Sequence, residues 1–314
     1  MRSPQPVPIR LISHNIRYAT QSPFKGEKPW EARRSRLIDE LRFNTFGHPE
    51  AFICLQEVLH NQLTDVLSAL NRRQSSHALC TPPEDWAFIG VGREDGREAG
   101  EYSPIFYRPS VWKLESFRSV WLSETPEKPS RGWDASSTRI LTIGIFEHRE
   151  SKKRVVAMNT HLDDSGSVSR YESAKIILAE IGRSIYDRGG DGISMAPPLP
   201  VFVAGDFNSE TGQEAYQTLN DGRSPIKDLR DYTEKDGRYG HENTFTGFGY
   251  EKEPEKRIDF IFVGPKDGVT SNIERKKLHL AQWHVDGYAV LESRFEDGVY
   301  NSDHRAVVGD VYLI

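Results

Sequence analysis

The sequence predicts an α/β sandwich in which mixed β-sheets pack together with helices outside. Three observations carry that reading. Short apolar or alternating runs of strand length recur along the whole chain, segments with apolar residues at i, i+3 and i+4 lie between some of them, and other strand runs follow one another directly. Strands joined partly by helices and partly by direct returns give sheets of mixed direction whose outer faces the helices cover.

In chain order, residues 9–13 are the first strand run, after an N-terminus whose prolines and arginines do not make the charged-then-apolar pattern of a signal peptide. Residues 30–43 read as a helix, with Trp30, Leu37, Ile38 and Leu41 on one face and charged residues opposite. Residues 51–55 are a continuous apolar run of the kind buried on both faces of a sheet. A helix at 59–71 and short strands at 86–91 and 104–107 follow. The Ser- and Pro-rich stretch 123–137 reads as a loop. Residues 138–147 and 154–160 are neighbouring strands, 171–183 a helix, 188–199 a loop, and 201–204 a strand closing on Gly205. A short helix at 214–220, a polar loop at 220–244 and strands at 257–263 and 307–313 complete the chain. No repeat, low-complexity tract or polar linker divides it, so a single domain over residues 1–314 is expected.

Composition narrows function. With 314 residues, 37% of them hydrophobic, the chain can bury a large core. Its net charge of −5 supplies no global positive field for a polyanion, so any phosphate contact has to be local. Two cysteines, Cys54 and Cys80, make neither a disulfide framework nor a thiolate zinc cluster, and Cys54 lies in an apolar run that suits a buried thiol. No apolar run reaches the ~18 residues of a membrane span. The expectation is a cytoplasmic monomer, or a secreted protein if a leader has been removed.

Polar chemistry collects where strand runs end. After residues 201–204 come Gly205, Asp206, Phe207 and Asn208, and alternation sets Asp206 and Asn208 on one side of an extended chain. Such a pair can orient and deprotonate a water or ligate a hard cation, and it is equally the signature of a strand followed by an Asx turn. It does not stand alone. The first strand runs into His14, Asn15 and Arg17, the second into Gln56 and Glu57, and the run 154–160 into His161 and Asp163. Asp259 is embedded in the apolar run 257–263, and Asp303 and His304 precede the last strand.

Each of these has an ordinary structural account when taken singly. Glu57 suits a helix N-terminus, Asn15 a turn or cap, His161 a packed histidine, and Asp303 with His304 a surface pair. Their recurrence at strand ends, where sites gather in α/β sheets, points instead to one site. A buried Asp259 needs a partner, and His304 is the right type, because a carboxylate fixes an imidazole's tautomer and raises its basicity.

The blocks Ser13-His14-Asn15-Ile16-Arg17, Leu55-Gln56-Glu57, Asn159-Thr160-His161-Leu162-Asp163, Gly205-Asp206-Phe207-Asn208, Arg257-Ile258-Asp259 and Ser302-Asp303-His304 carry a resemblance. In order, and over nearly the full length, they resemble the signature blocks of the endonuclease/exonuclease/phosphatase superfamily. That group includes DNase I, abasic-site endonucleases, poly(A) deadenylases, inositol-polyphosphate 5-phosphatases and neutral sphingomyelinases. The resemblance implies a four-layered, DNase I-like α/β sandwich with two packed mixed sheets, and a metal-dependent phosphoesterase. Tyr102-Ser103-Pro104-Ile105-Phe106-Tyr107 and Trp121-Leu122-Ser123-Glu124-Thr125-Pro126 are similar to a little-characterised bacterial and fungal branch.

Carried over position by position, the resemblance implies Glu57 as a ligand of Mg²⁺, with Mn²⁺ as a substitute. Asn15 would stand beside it in the metal and phosphate shell, and Asp303 would be the candidate ligand of a second metal. Asp206 would be the general base for the attacking water, with Asn208 orienting the water or the phosphate. His304 would bond a phosphoryl oxygen with Asp259 setting its tautomer, and His161 would donate to the scissile phosphate. Arg17 stands where abasic-site endonucleases have an aspartate, which removes a metal ligand and adds a phosphate donor.

Substrate choice has thinner support. Arg17, Arg139 and Arg170 are the candidates for bidentate phosphate contacts, and Tyr102, after the Gly-rich stretch 96–100, for stacking or donation to phosphate. Trp30 and Trp133 could rim a base or sugar site. The family favours a nuclease or other phosphodiesterase, and the acidic chain suits short or single-stranded nucleic acid. The second reading is a phosphomonoesterase acting on a nucleotide, sugar phosphate or inositol phosphate. The third is an inactive binding scaffold, against which the full set Glu57, Asp206, Asn208, Asp259 and His304 speaks.

Overall fold

Alternation along the strands decides the layering. A computed structural model describes residues 5–72, 85–186, 197–271 and 282–314. Its elements are β1 (Val7–Asn15), α1 (Trp30–Thr45), β2 (Phe52–Gln56), α2 (His60–Leu70), β3 (Ala87–Ile89), β4 (Ile105–Tyr107), β5 (Trp112–Trp121), β6 (Ile140–His148), β7 (Arg154–His161), α3 (Ser167–Ile185), β8 (Val201–Asp206), α4 (Glu214–Leu219), β9 (Lys227–Asp228), β10 (Arg238–Gly240), β11 (Asp259–Gly264), β12 (Val269–Ser271), β13 (Trp283–Val290) and β14 (Val307–Leu313). One sheet runs β10-β13-β14-β1-β2-β4-β3, with β12 also on β13; the other runs β5-β6-β7-β8-β11-β9. Both mix directions: β1 is parallel to β2 and antiparallel to β14, and β8 is parallel to β7 and antiparallel to β11.

Odd positions of β1 (Ile9, Leu11), even positions of β2 (Phe52, Cys54) and β8 (Phe202, Ala204), and odd positions of β7 and β11 (Val155, Ala157, Ile261, Val263) meet between the sheets. The opposite parity of β1 and β2 packs under α1 and α2 through Ile12, Ile53, Leu55, Leu37, Leu41 and Leu63. Likewise Val156, Val203 and Phe260 pack under α3 and α4 through Ile177, Ile181 and Leu219. The result is four layers, helices on sheet on sheet on helices, as the resemblance implied.

The same parity builds the site. Continued one or two steps beyond the apolar core, the inward positions of these strands become Asn15 on β1, Gln56 on β2, His161 on β7, Asp206 on β8 and Asp259 on β11. Register then places them side by side, with His161 and Asp259 both opposite Asp206, and Asn15 opposite Gln56. Gly205 is required here, since a Cβ at that position would stand 2.4 Å from the Thr160 carbonyl oxygen on β7.

Several sequence-based expectations are corrected. Asp259 opens β11 instead of lying within a strand, and the segment expected as loop at 220–244 contains β9, two 3₁₀ turns and β10. β5 and β13 were not anticipated. β5 is an edge strand loaded with Lys, Glu, Arg and Ser, and its alternation breaks at a register shift between Leu114 and Ser116. β13 carries Asp-Gly and a shift between Val285 and Gly287, which reads as a turn. β12 was also missed, being only three residues long. Cys54 is buried as expected, its thiol pushed well above the usual range by burial, while Cys80 and residues 188–196 of the expected loop lie outside the described residues. No helix among the described residues is long and apolar enough to cross a membrane.

Candidate active site

The strand ends open into a cavity of about 570 Å³ lined by residues that include Arg17, Glu57, Glu101, Arg139, His161, Asp206, Asn208, Asp303 and His304. Three of the turns that follow the strands hold non-glycine residues in the left-handed region, Arg17 (φ 55°), Glu57 (φ 59°) and Asn208 (φ 46°). For such residues this conformation is uncommon, and it gathers at functional sites. Here it turns side chains that alternation alone would send elsewhere.

One group is centred on Asp206. Its Oδ2 accepts from Asn15 Nδ2 at 2.9 Å and lies 3.5 Å from His161 Nε2 and 3.6 Å from His304 Nε2; its Oδ1 accepts the Asn208 N–H at 2.9 Å. Burial, reinforced by Asp259, pushes the Asp206 carboxyl up to about 7. His304 pairs through Nδ1 with Asp259 Oδ2 at 2.8 Å. Burial alone would lower the imidazole, but Asp259, Asp206 and Asp303 outweigh it and push it up to about 10. Asp259 is itself held from behind, its N–H donating to Thr244 Oγ1 at 3.1 Å. His304 is therefore an imidazolium at neutral pH, with Nε2–H facing Asp206.

His161 behaves oppositely. Burial first, then Arg139 and Arg93, hold it well below the usual imidazole range, so it is neutral. Asn208 Nδ2 donates both to the Leu162 carbonyl at 3.0 Å and to His161 Nε2 at 3.0 Å. That geometry assigns the Nδ1–H tautomer, so donation from Nε2 to a phosphate would need a proton shift first. Among the described residues the buried Nδ1 has no hydrogen-bond partner, and it lies 3.8 Å from Glu101 Oε2.

Glu57 and Asp303, the two carboxylates expected as metal ligands, both line the cavity. Glu57 accepts from Asn15 Nδ2 at 3.0 Å and from the Tyr18 N–H at 3.1 Å. Burial would raise it, but Arg17, Asn15 and Tyr18 together hold it below the usual carboxylate value, so it is ionised. Burial raises Asp303, and Glu57 adds to the rise. Six carboxylates line the cavity (Glu57, Glu101, Asp164, Asp206, Glu253, Asp303) against five cations (Arg17, Arg93, Arg139, Lys256 and the His304 imidazolium). Crowded, partly protonated acids beside one ionised glutamate fit a hard divalent cation, which would relieve the excess negative charge. Asp206, Asp259 and His304 also lie within metal-binding distance of one another, but a protonated imidazole bonded to a carboxylate offers no lone pair, so Glu57 and Asp303 fit better. Asn15 contributes its amide nitrogen to both carboxylates, while its oxygen accepts the Arg17 N–H at 3.0 Å. As oriented, it places Glu57 and Asp206, and its oxygen keeps a second lone pair beyond the one that Arg17 N–H occupies.

The phosphate-binding candidates divide. Arg17 and Arg139 line the cavity; Arg17 ion-pairs with Glu27 at 3.3 Å and Glu57 at 3.6 Å, and Arg139 with Asp163 at 3.2 Å and Asp164 at 2.8 Å. Arg170 and Tyr102 are corrected, since neither reaches the cavity. Arg170 bonds Glu214 at 2.5 Å and the Asp163 carbonyl at 3.0 Å, tying α3 to α4, and the Tyr102 hydroxyl pairs with His60 Nδ1 at 3.1 Å above α2. Trp30 is a core anchor bonded to Asp65 at 2.8 Å, and Trp133 does not line the cavity.

Sequence reasoning missed Glu101 and Arg33, and named Asp163 in a block without giving it a role. Glu101, pushed up to about 7 by burial and Glu57, pairs with Arg93 at 2.7 Å; because Tyr102 bridges to Val58 and packs inward, its predecessor had to face the other way. Arg33, wholly buried, donates to the carbonyls of Ile16 (3.0 Å), Arg17 (3.1 Å), Lys28 (2.8 Å) and Asn301 (2.7 Å). It clamps the turn after β1 to the segment that carries Asp303 and His304. Asp163 Oδ1 accepts the backbone N–H groups of Ser136, Ser165 and Gly166, and its Oδ2 that of Ser137. Those bonds fix the loop under Arg139, and only Asp163's block position hinted at them.

Fold and site together define the class, a phosphoesterase-type DNase I-like α/β sandwich. The chain belongs to the Endonuclease/Exonuclease/phosphatase family, whose model matches residues 12–276. Members of that family are hydrolases acting on phosphoester bonds. Among solved structures, the chain is similar to an endonuclease/exonuclease/phosphatase from Bacteroides vulgatus, with 29% identity, a TM-score of 0.77, and coverage of 98% of this chain and 99% of that one. It is also similar to the mannosyl-6-phosphatase Bt3783 of Bacteroides thetaiotaomicron, with 27% identity, a TM-score of 0.75 and coverage of 96% and 99%. A CCR4-Not complex 3'-5'-exoribonuclease subunit Ccr4 of Mycosarcoma maydis is 22% identical over 82% of this chain, which spans only 41% of that relative's length.

Proposed function

We propose that the protein is a divalent-metal-dependent phosphoester hydrolase acting on a small phosphomonoester. The observation that carries the reading is the charge of the cavity. Four of its five lining cations are already paired with carboxylates, Arg17 with Glu57, Arg93 with Glu101, Arg139 with Asp164 and the His304 imidazolium with Asp259. Such a wall supports one local phosphate with its cation and offers no track for a polyanionic backbone. The likeness to a mannosyl-6-phosphatase over nearly the whole of both chains supports the same reading.

In this mechanism Asp206, raised toward neutrality, takes the proton of the attacking water, and the Asn208 amide orients the groups around it. The His304 imidazolium, backed by Asp259, donates Nε2–H to a phosphoryl oxygen as charge accumulates there. Neutral His161 holds Asn208 in place through its acceptor nitrogen. Glu57 and Asp303 would hold Mg²⁺ or Mn²⁺, which when bound neutralises phosphoryl charge and stabilises the leaving alkoxide. Phosphate release from a panel of sugar phosphates, nucleotides and labelled oligonucleotides in Mg²⁺ tests it. Cleavage of oligonucleotides without release from any monoester would replace it with the reading the sequence put first, a nuclease on short or single-stranded nucleic acid, which the likeness to Ccr4 favours.

A further inference from the structure

We propose that Phe24 is a stacking platform for the leaving group, and that this group is a polyhydroxylated six-membered ring, a hexose carrying its phosphate outside the ring. The inference rests on the phosphomonoesterase reading above. Phe24 lines the catalytic cavity and is 63% exposed, yet it is anchored. The Arg17 guanidinium covers its ring 4.7 Å from the centroid, its N–H donates to Glu27 Oε2 at 2.9 Å, and Glu27 Oε1 in turn accepts from Arg17 Nε at 3.3 Å. Arg17 is also 3.6 Å from Glu57, so an apolar surface is fixed beside the reacting centre with much of its ring open. Other rings, such as Phe43 and Tyr239, are as exposed, but Phe24 is held at the cavity wall, where it gains stabilisation when an apolar ligand face covers it.

The cavity also presents a polar wall in which Arg93 pairs with Glu101 at 2.7 Å and Arg139 with Asp164 at 2.8 Å. Those carboxylates retain acceptor capacity for several hydroxyl groups. A hexose offers both a C–H face for Phe24 and a rim of hydroxyl donors for that wall. A nucleobase would stack equally well but presents fewer hydroxyl and N–H donors to that wall than a hexose does.

The test compares glucose 6-phosphate and mannose 6-phosphate with glycerol phosphate, which lacks the ring, in the wild type, Phe24→Ala and Phe24→Trp. Phe24→Ala lowers the ratio of hexose-phosphate to glycerol-phosphate kcat/KM by about tenfold, through KM, and Phe24→Trp restores it. A parallel binding arm titrates the same compounds calorimetrically into Asp206→Asn protein with and without Phe24→Ala, expecting the same loss for the hexose phosphates. An unchanged ratio, or equal weakening of both ligand types, overturns the platform. Should the wild type hydrolyse no monoester, the functional reading fails, while the binding arm still decides for or against Phe24.

Discussion

Asp206 and His304 carry opposite electrostatic assignments although their side chains lie only 3.6 Å apart. Burial and Asp259 raise the acid, while the surrounding acids raise the base, so the pair is poised to take one proton and lend another. Asp206→Asn is expected to lower kcat by at least about 100-fold with the melting temperature retained, and His304→Ala to lower kcat by a similar factor while the protein stays folded at a reduced melting temperature, because buried Asp259 loses its partner. Steady-state rates beside thermal unfolding check this, and a variant with near-wild-type turnover would remove that residue from its role.

Asp163 gives a pH test at the same scale. Burial would raise its carboxyl, but the backbone N–H groups of Ser136 and Gly166 and the Arg139 charge hold it well below the usual range. A depressed folded-state value contributes stability above the unfolded value of about 4, lost as pH falls through the folded one. The melting-temperature gap between wild type and Asp163→Asn should therefore be full at pH 6 to 7 and shrink on acidification below about 4. A gap that widened in acid would reverse the sign of the assignment.

Elements position these residues through strand parity and through the turns that follow the strands. Parity was legible in the sequence: Phe202, Ala204 and Asp206 alternate inward, as do Ala157, Asn159 and His161, so the apolar core and the site are one pattern. Lysine- and serine-rich β5 and the bulged β13 were not legible, because edges and bulges break the period that sequence reading relies on. Nor were the left-handed turns at Arg17, Glu57 and Asn208, which only the folded backbone reveals. Asn159 lay in a recognised block, yet its part in the fold appears only across the sheets, where its oxygen accepts from Gln56 Nε2 at 2.7 Å.

Arg33 is the element-scale counterpart of these turns, since its four carbonyl partners join α1, the turn after β1 and the segment before β14. Arg33→Met should cost at least about 2 kcal/mol in denaturant unfolding by leaving buried carbonyls unpaired. It should lower kcat as well, because both halves of the site loosen. A variant of wild-type stability would show that the clamp is dispensable.

For the whole molecule, the balance between acidic surface and local cations separates the two substrate classes. With a net charge of −5 and mostly paired arginines in the cavity, hydrolysis of a small monoester should change by less than about twofold between 50 and 200 mM salt, whereas a polyanion held by many phosphate contacts would be lost steeply. The four-layered architecture could be anticipated because it follows from alternating strands and amphipathic helices. The alcohol beyond the phosphate could not, because loop side chains from distant parts of the chain build its wall.

The most direct test of the central claim is the release of inorganic phosphate from a panel of small phosphate esters in Mg²⁺, measured for the wild type and Asp206→Asn at equal concentration. The account expects wild-type turnover on at least one monoester and a rate about 100-fold lower or less for the variant. Equal rates for the two proteins, or no release from any ester in the panel, would contradict it.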